Sequence, residues 1–137
     1  MRGLLLSLVV AAGAASAGDI TVSDGWFRTL PGTAPAGGYF TIHNAGDKPV
    51  SLTSASSPAC GMLMLHKSET QGGVASMEMV DGIDVPPRGK VDFAPGGYHL
   101  MCMQPKMKPG TKVPVKLEFF GGTNVTASFT VKDAKGQ

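Results

Sequence analysis

Short apolar and β-branched runs alternate with turn residues along almost the whole chain. Within many runs the apolar and polar positions alternate with a period of two, which predicts β-strands that have one buried face. The predicted strands are Ile20–Arg28, Gly38–Asn44, Val50–Ser56, Met62–Ser68, Val74–Val80, Lys90–Phe93, Tyr98–Met103, Val113–Phe120 and Asn124–Lys132. Clusters of Gly and Pro separate them, for example Pro31-Gly32 and Gly121-Gly122. This regular spacing predicts an antiparallel β-sandwich or barrel.

The first 17 residues follow a different pattern. Met1-Arg2 precedes an apolar run that extends from Leu4 to Ala12, and Ala15-Ser16-Ala17 follows it. A basic start, a short apolar centre and an A-x-A end are typical of a secretory signal peptide. The run is also shorter than the roughly 20 apolar residues of a membrane-spanning helix. We therefore predict a signal peptide over residues 1–17 and a single exported domain over residues 18–137, without a lipid anchor because no Cys lies near the cleavage site.

Composition narrows the function classes further. The chain is 42% apolar and 16% charged, which excludes a disordered chain and a coiled coil. Its formal net charge is +2, and loss of Arg2 would bring this to about +1, so the sequence lacks the basic footprint of a nucleic-acid-binding protein. It also lacks the H-E-x-x-H and G-x-S-x-G motifs, and we expect no enzyme. The unusual number is 8 Met against 6 Phe, and every Met after Met1 falls between Met62 and Met107.

Two segments place methionine and histidine on one strand face. Met62, Met64 and His66 alternate with Leu63 and Leu65, and His99, Met101 and Met103 alternate with Leu100 and Cys102. A turn at Gln71-Gly72, or a longer one over Thr70–Gly73, would pair positions whose numbers sum to 143. That register places His66 opposite Met77 and Met64 opposite Met79, all on one face. The prediction depends on the length of the loop, because a loop of three residues would shift the register.

The donor atoms of this face suit one metal ion in particular. Thioether sulfur is a soft, neutral ligand and imidazole binds copper well, so a set of two His and two Met indicates Cu(I). Zinc favours thiolate, imidazole or carboxylate, whereas magnesium and calcium favour oxygen. A methionine stripe on strands is more often core packing. The residues alone therefore leave a copper site and a packed core as open alternatives.

The spacing of four residues resembles that of the periplasmic copper chaperones called PCuAC, whose pattern is H-(M)-x10-M-x21-H-x-M. His66, Met77, His99 and Met101 carry this spacing here. The flanking segments look like that family as well, and the resemblance extends from about Ile20 to Val131; these segments are Gly37–Asn44, Val80–Pro86 and Pro95–Met101. One departure is Lys67, which stands where many members have a second Met. Strand alternation turns Lys67 away from the ligand face.

The resemblance implies a cupredoxin-like Greek-key antiparallel β-sandwich that binds one Cu(I) per chain through His66, Met77, His99 and Met101. It also implies delivery of copper in the periplasm to the CuA centre of cytochrome c oxidase subunit II, alongside a thioredoxin-like copper chaperone. We accordingly expect a non-enzymatic, monomeric carrier that binds no nucleic acid and does not insert into membranes.

Two other functions remain as alternatives. An electron-transfer cupredoxin needs a Cys among its copper ligands, and Cys102 is the candidate although it alternates away from His99. A secreted structural sandwich would bind no metal. Cys60 and Cys102 can form only one intramolecular disulfide, and the sequence leaves its existence open.

The remaining methionines and His43 receive weaker assignments. Met62, Met64, Met79 and Met103 share the ligand face. They form either a soft rim that hands the ion over or holds a second one, or side chains that pack beside the site, and packing is the simpler interpretation. His43 is expected to be a solvated or core histidine rather than a ligand, and Met107 has no assigned role.

Overall fold

The computed structural model describes residues 14–71 and 73–137, in which β-strands are the only regular secondary structure. The strands are β1 (Ala15–Ala17), β2 (Ile20–Arg28), β3 (Ala36–Asn44), β4 (Val50–Ser56), β5 (Met62–Gln71), β6 (Val74–Met79), β7 (Ile83–Val85), β8 (Lys90–Phe93), β9 (Tyr98–Met103), β10 (Lys112–Phe119) and β11 (Asn124–Lys132). All nine predicted strands are present. The two that were not predicted, β1 and β7, have three residues each, which is too short for a period-two signal to be recognised.

The β1 strand lies within the predicted signal peptide. Its residues pair with Ile20–Val22 at the start of β2. Residues 1–13 of the predicted signal peptide lie outside the described part of the chain, so the peptide and its cleavage after Ala17 stay predictions. No helix in the described part of the chain is long and apolar enough to cross a membrane.

The strands form one curled sheet that folds over a single core. Its strand order is β6-β5-β9-β3-β2-β11-β10-β4-β7, with β1 added beside β2 and β8 beside β3. The predicted sandwich is therefore confirmed, but the pairing is not entirely antiparallel. The β11 strand runs parallel to β2, with Thr130 opposite Trp26. This pair joins two antiparallel groups of strands.

Apolar positions on alternate residues of each strand make up the core. The rings of Phe27 and Phe129 lie 5.3 Å apart, and the ring of Phe40 lies 5.5 Å from Phe129 and 4.3 Å from Phe93. Because β3 and β11 are not neighbours in the sheet, the contact between Phe40 and Phe129 requires the sheet to curl. The core thereby fixes the positions of β3, β5 and β9, which carry most of the candidate site.

The register predicted for the hairpin of β5 and β6 is wrong by two residues. His66 lies opposite Met79, Ser68 lies opposite Met77, and Gln71 lies opposite Val74. The β5 strand therefore extends as far as Gln71, past the start of both predicted turns, and Gly73 has a φ of 81° that suits glycine in a tight hairpin turn. A shift of two residues leaves every side chain on its predicted face. Only the pairing along the strands changes.

A disulfide joins Cys60, just before β5, to Cys102 in β9. The sequence left this pairing open. Cys102 is fully buried among the core residues, with Leu63 opposite it on β5. All four predicted copper ligands lie between the two cysteines in the sequence, so the disulfide ties the segment that carries them to the core.

Candidate metal centre

Two histidines face each other across neighbouring strands. His66 on β5 is directly opposite His99 on β9, and their ring centroids lie 5.6 Å apart with the planes inclined at 70°. Leu65, which precedes His66, and Leu100, which follows His99, are both buried in the core. The alternation predicted from the sequence is therefore present on both strands, and it places both imidazoles on the outer face.

His99 is held in a defined orientation. Its side chain is only 5% exposed, and its Nδ1 lies 3.3 Å from the carbonyl oxygen of Gly97. Because a carbonyl oxygen can only accept a hydrogen bond, this contact places the proton on Nδ1 and leaves the lone pair on Nε2. A hydrogen bond from the ring nitrogen that does not bind the metal is the usual way in which proteins orient a metal-binding imidazole.

His66 has a ring nitrogen without a partner. Its Nδ1 is buried and forms no hydrogen bond with any residue in the described part of the chain. An unsatisfied buried polar atom costs about 1–3 kcal/mol, and a bound cation would give it a partner. Burial lowers the pKa of His66 below its ordinary value of 6.5, and the charge of His99 lowers it further. Both effects favour the neutral imidazole, which is the form that binds metals.

Met101 and Met77 line one cavity together with His99. Met101 on β9 lies between Gly37 on β3 and Met64 on β5. Met77 belongs to the edge strand β6 and is 63% exposed. The cavity has a volume of about 420 Å³. Three of the four predicted ligands, Met77, His99 and Met101, therefore line one cavity. His66 does not line this cavity, and it lies beside His99 with the ring centroids 5.6 Å apart.

A glycine keeps the cavity open beside Met101. An added Cβ at Gly37 would lie 2.8 Å from the hydroxyl oxygen of Tyr39, which is too close without a shift of the ring. Tyr39 therefore lies over Gly37 and forms one wall of the cavity. Both residues belong to the segment Gly37–Asn44 that carries part of the family resemblance, but the sequence offered no sign that they border the site.

Arg28 is a further residue that the sequence analysis did not identify. It lines the same cavity, and its guanidinium carbon lies 5.2 Å from the centre of the Trp26 ring. Its Nε is buried without a hydrogen-bond partner in the described part of the chain. The only available signal was its position at the end of a predicted strand, which does not reveal that Arg28 lies opposite Gly37 on β3, the residue that pairs with Met101 on the next strand. A fixed positive charge therefore lies at the wall of the candidate site.

Other residues considered from the sequence lie away from this face. Cys102 is buried and disulfide-bonded, so it has no thiolate to offer to a blue-copper site. Lys67 points to the other face, where its Nζ lies 3.4 Å from Glu69 and 5.6 Å from the centre of the Tyr98 ring. His43 is exposed on β3 opposite Lys90, in agreement with its interpretation as a solvated residue.

The lowered pKa of His66 predicts how the metal-free protein responds to acid. We expect the imidazole of His66 to titrate with a midpoint below 6.5 in an NMR pH titration. The unfolded chain then binds more protons than the folded protein between that midpoint and 6.5. The contribution of His66 to stability is accordingly present above 6.5 and is lost as the pH falls through the midpoint.

The second cause of this shift supplies a control. His99→Gln removes the neighbouring charge and should move the His66 midpoint back toward 6.5. A midpoint at or above 6.5 in the unaltered protein would contradict the prediction. The same titration also indicates where protons begin to compete with a metal ion for His66.

Comparisons with known proteins agree with this architecture. A family model described as "Putative lipoprotein LpqE-like" matches residues 20–131. The chain belongs to the LpqE-like family. This is the PCuAC family that the sequence motif indicated, so the predicted resemblance is confirmed. A protein of Leifsonia xyli subsp. xyli that carries the same description, putative lipoprotein, is 30% identical over 123 residues, which are 88% of this chain and 74% of the relative.

Solved structures of PCuAC domains have the same fold. The copper-bound PCuAC domain from PmoF2 matches with a TM-score of 0.73 and 26% identity, over 88% of this chain and 97% of that domain. The solution structure of the Cu(I) form of DR1885 from Deinococcus radiodurans matches with a TM-score of 0.65 and 29% identity, over 80% of this chain and 75% of that protein. Both of these relatives were solved in a copper-bound form.

Proposed function

We propose that this LpqE-like family member is an exported copper carrier that binds one Cu(I) through His66, Met77, His99 and Met101. The observation that supports the proposal is the position of the other three side chains relative to His99. His66 is opposite His99 in the sheet, and Met77 and Met101 share the cavity that His99 lines. Elements that are distant in sequence supply them, since Met77 comes from β6 and Met101 from β9.

The chemistry of the site favours the monovalent ion. Neutral imidazoles and thioethers form a soft set of donors without negative charge, and such a set suits Cu(I). Arg28 adds a positive charge at the cavity wall, which disfavours a divalent ion more than a monovalent one. The copper-bound relatives support the same cargo.

Met77 remains the proposed fourth ligand despite the corrected register. Met79 is the residue directly opposite His66, but its side chain is 68% exposed and it does not line the cavity. Met77 lies two residues before Met79 on β6, opposite Ser68, and it does line the cavity. A flexible thioether on an exposed edge strand can close over a bound ion and move away again. This arrangement fits a protein that must release its cargo.

The finer parts of the proposal concern location and recipient. We infer export from the predicted signal peptide, and the description of the family as lipoproteins supports it. Delivery to the CuA centre of cytochrome c oxidase subunit II, with a thioredoxin-like copper chaperone as a second partner, follows from the family resemblance. The protein would act as a carrier and not as an enzyme, since binding and release of an ion require no chemical step.

A transfer experiment tests the carrier function. The Cu(I)-loaded protein would be mixed without oxygen with the metal-free soluble domain of cytochrome c oxidase subunit II, and the copper content of each protein measured after separation. We expect copper to move to the oxidase domain, because a Cu(I) ion held by an exposed thioether can exchange that ligand readily. The control is the same amount of Cu(I) bound to a small-molecule chelator of equal affinity.

Two outcomes would count against the proposal in different ways. Tight binding of Cu(I) without transfer beyond the chelator control would show that the recipient is wrong while the site stands. Absence of tight Cu(I) binding in a competition titration would overturn the copper function altogether.

A further inference from the structure

Three methionines that are not among the proposed ligands cluster on the same outer face of the sheet. Met62 on β5 lies directly opposite Met103 on β9, and Met64 lies opposite Met101. Met62 and Met64 are two residues apart, so they point in the same direction. Two successive pairs on this face of β5 and β9 thus consist of methionine alone.

The burial of these side chains does not fit a packing role. The opposite face of the same strands supplies the core, where Leu63, Leu65 and Leu100 are buried. Met62, by contrast, is 59% exposed, and Met64 and Met103 are only half-buried. A methionine that serves to fill the core contributes through the apolar area that it removes from water. Met62 removes little apolar area from water, so its presence beside two more methionines requires a different explanation.

The spacing of the three side chains allows their sulfur atoms to meet. Residues directly opposite one another have Cβ atoms about 4.5–5.5 Å apart, and diagonal neighbours are about 7–8 Å apart. Met62 and Met103 are an opposite pair, while Met64 and Met103 are diagonal. Each methionine side chain has three rotatable bonds. All three thioethers can therefore reach one point above the sheet.

We propose that Met62, Met64 and Met103 form a second site for a soft monovalent ion, Cu(I), held by three thioether sulfurs. The choice of Cu(I) as the ion rests on the proposed function, whereas the convergence of the sulfurs does not. Thioethers are neutral and soft, and they favour Cu(I) over harder ions. Three neutral donors without imidazole or thiolate should bind more weakly than the histidine site.

The second site adjoins the first. Met64 is opposite Met101, which is a proposed ligand of the histidine site and the next outward-facing residue from Met103 on β9. An ion can therefore pass from the exposed thioethers to Met101 by exchange of one sulfur ligand at a time. The second site would serve as the point where copper enters or leaves.

The stoichiometry of Cu(I) binding tests this proposal. Anaerobic titration of the protein, followed by native mass spectrometry, should show two bound ions, the second weaker than the first by on the order of 10-fold or more. The methyl NMR signals of Met62 and Met103 should shift with the second ion. In the double variant M62L/M103L we expect one bound ion, with the affinity of the first unchanged. Leucine retains the volume of methionine and removes only the sulfur, so this partly exposed pair should tolerate the change.

Two further variants separate this proposal from the proposed function. M107L alters a methionine outside the cluster and should retain both ions. H66Q/H99Q should lose the tight ion and retain the weaker one. A second ion that binds equally well to M62L/M103L, or a protein that binds only one ion, would overturn the thioether site and leave the histidine site intact. Unchanged binding by H66Q/H99Q together with loss of an ion from M62L/M103L would overturn the histidine site instead.

Discussion

Replacing Met101 by Leu, or His99 by Gln, is expected to weaken Cu(I) binding by on the order of 100-fold or more, because loss of an outer-shell partner of a metal ligand already costs about 10–100-fold. Both side chains line the cavity, and His99 also faces His66. M101L is the more informative variant, since leucine has nearly the volume of methionine and leaves the packing in place. The measurement is a competition titration against a Cu(I) chelator of known affinity.

The position of each substituted residue predicts how strongly the substitution weakens Cu(I) binding. Met77 lies on an exposed edge strand opposite Ser68, so M77L should weaken binding less than M101L does. The matched control is K67A. Lys67 follows His66 directly but projects from the other face, near Glu69, and its removal should leave the affinity within about threefold. A Met101→Leu protein that is folded and binds Cu(I) as tightly as the unaltered chain would eliminate Met101 as a ligand.

Removal of the disulfide is expected to produce the largest loss of stability. The double variant C60A/C102A should lose about 4 kcal/mol of the free energy of unfolding, since the bond closes a long loop and thereby restricts the unfolded chain. The two cysteines are separated by 42 positions. Guanidinium denaturation followed by the fluorescence of Trp26, the only tryptophan, measures the change.

The reduced protein is the control for the disulfide. Unaltered chain in the presence of a reductant should lose a similar free energy of unfolding, because it differs from the variant only in two thiols. We expect the folded double variant to retain its Cu(I) site, since backbone pairing still holds His66 opposite His99. A loss of less than about 1 kcal/mol would show that β5 and β9 are held without the bond.

The faces of the strands could be predicted from the sequence, whereas the neighbours of each strand could not. Alternation along 62–66 and 98–103 placed Leu63, Leu100 and Cys102 on the inner face, and all three are buried there. The same pattern did not reveal that β5 lies beside β9, although this pairing is what brings His66 to His99. Nor did it indicate that β11 would run parallel to β2.

The hairpin of β5 and β6 shows the limit within a local element. The sequence offered a turn at Gln71-Gly72 or a longer one over Thr70–Gly73, and both implied the same register, with His66 opposite Met77. The structure instead pairs Gln71 with Val74, which moves Met77 from opposite His66 to opposite Ser68. The side chains nevertheless remain on their predicted faces, because a shift of two residues is a whole period of the strand.

The sequence by itself determined nine of the eleven described strands and the side of the sheet on which the methionines and histidines of β5 and β9 lie. It also indicated the family, through the spacing of His66, Met77, His99 and Met101. These features depend on backbone geometry and on positions that can be counted along the chain. Only the tertiary structure decided which strands adjoin, that Cys60 bonds to Cys102, and that Arg28 and Tyr39 wall the cavity. Those outcomes depend on how the whole apolar surface is buried at once, since contacts between distant segments form only when the sheet closes over its core.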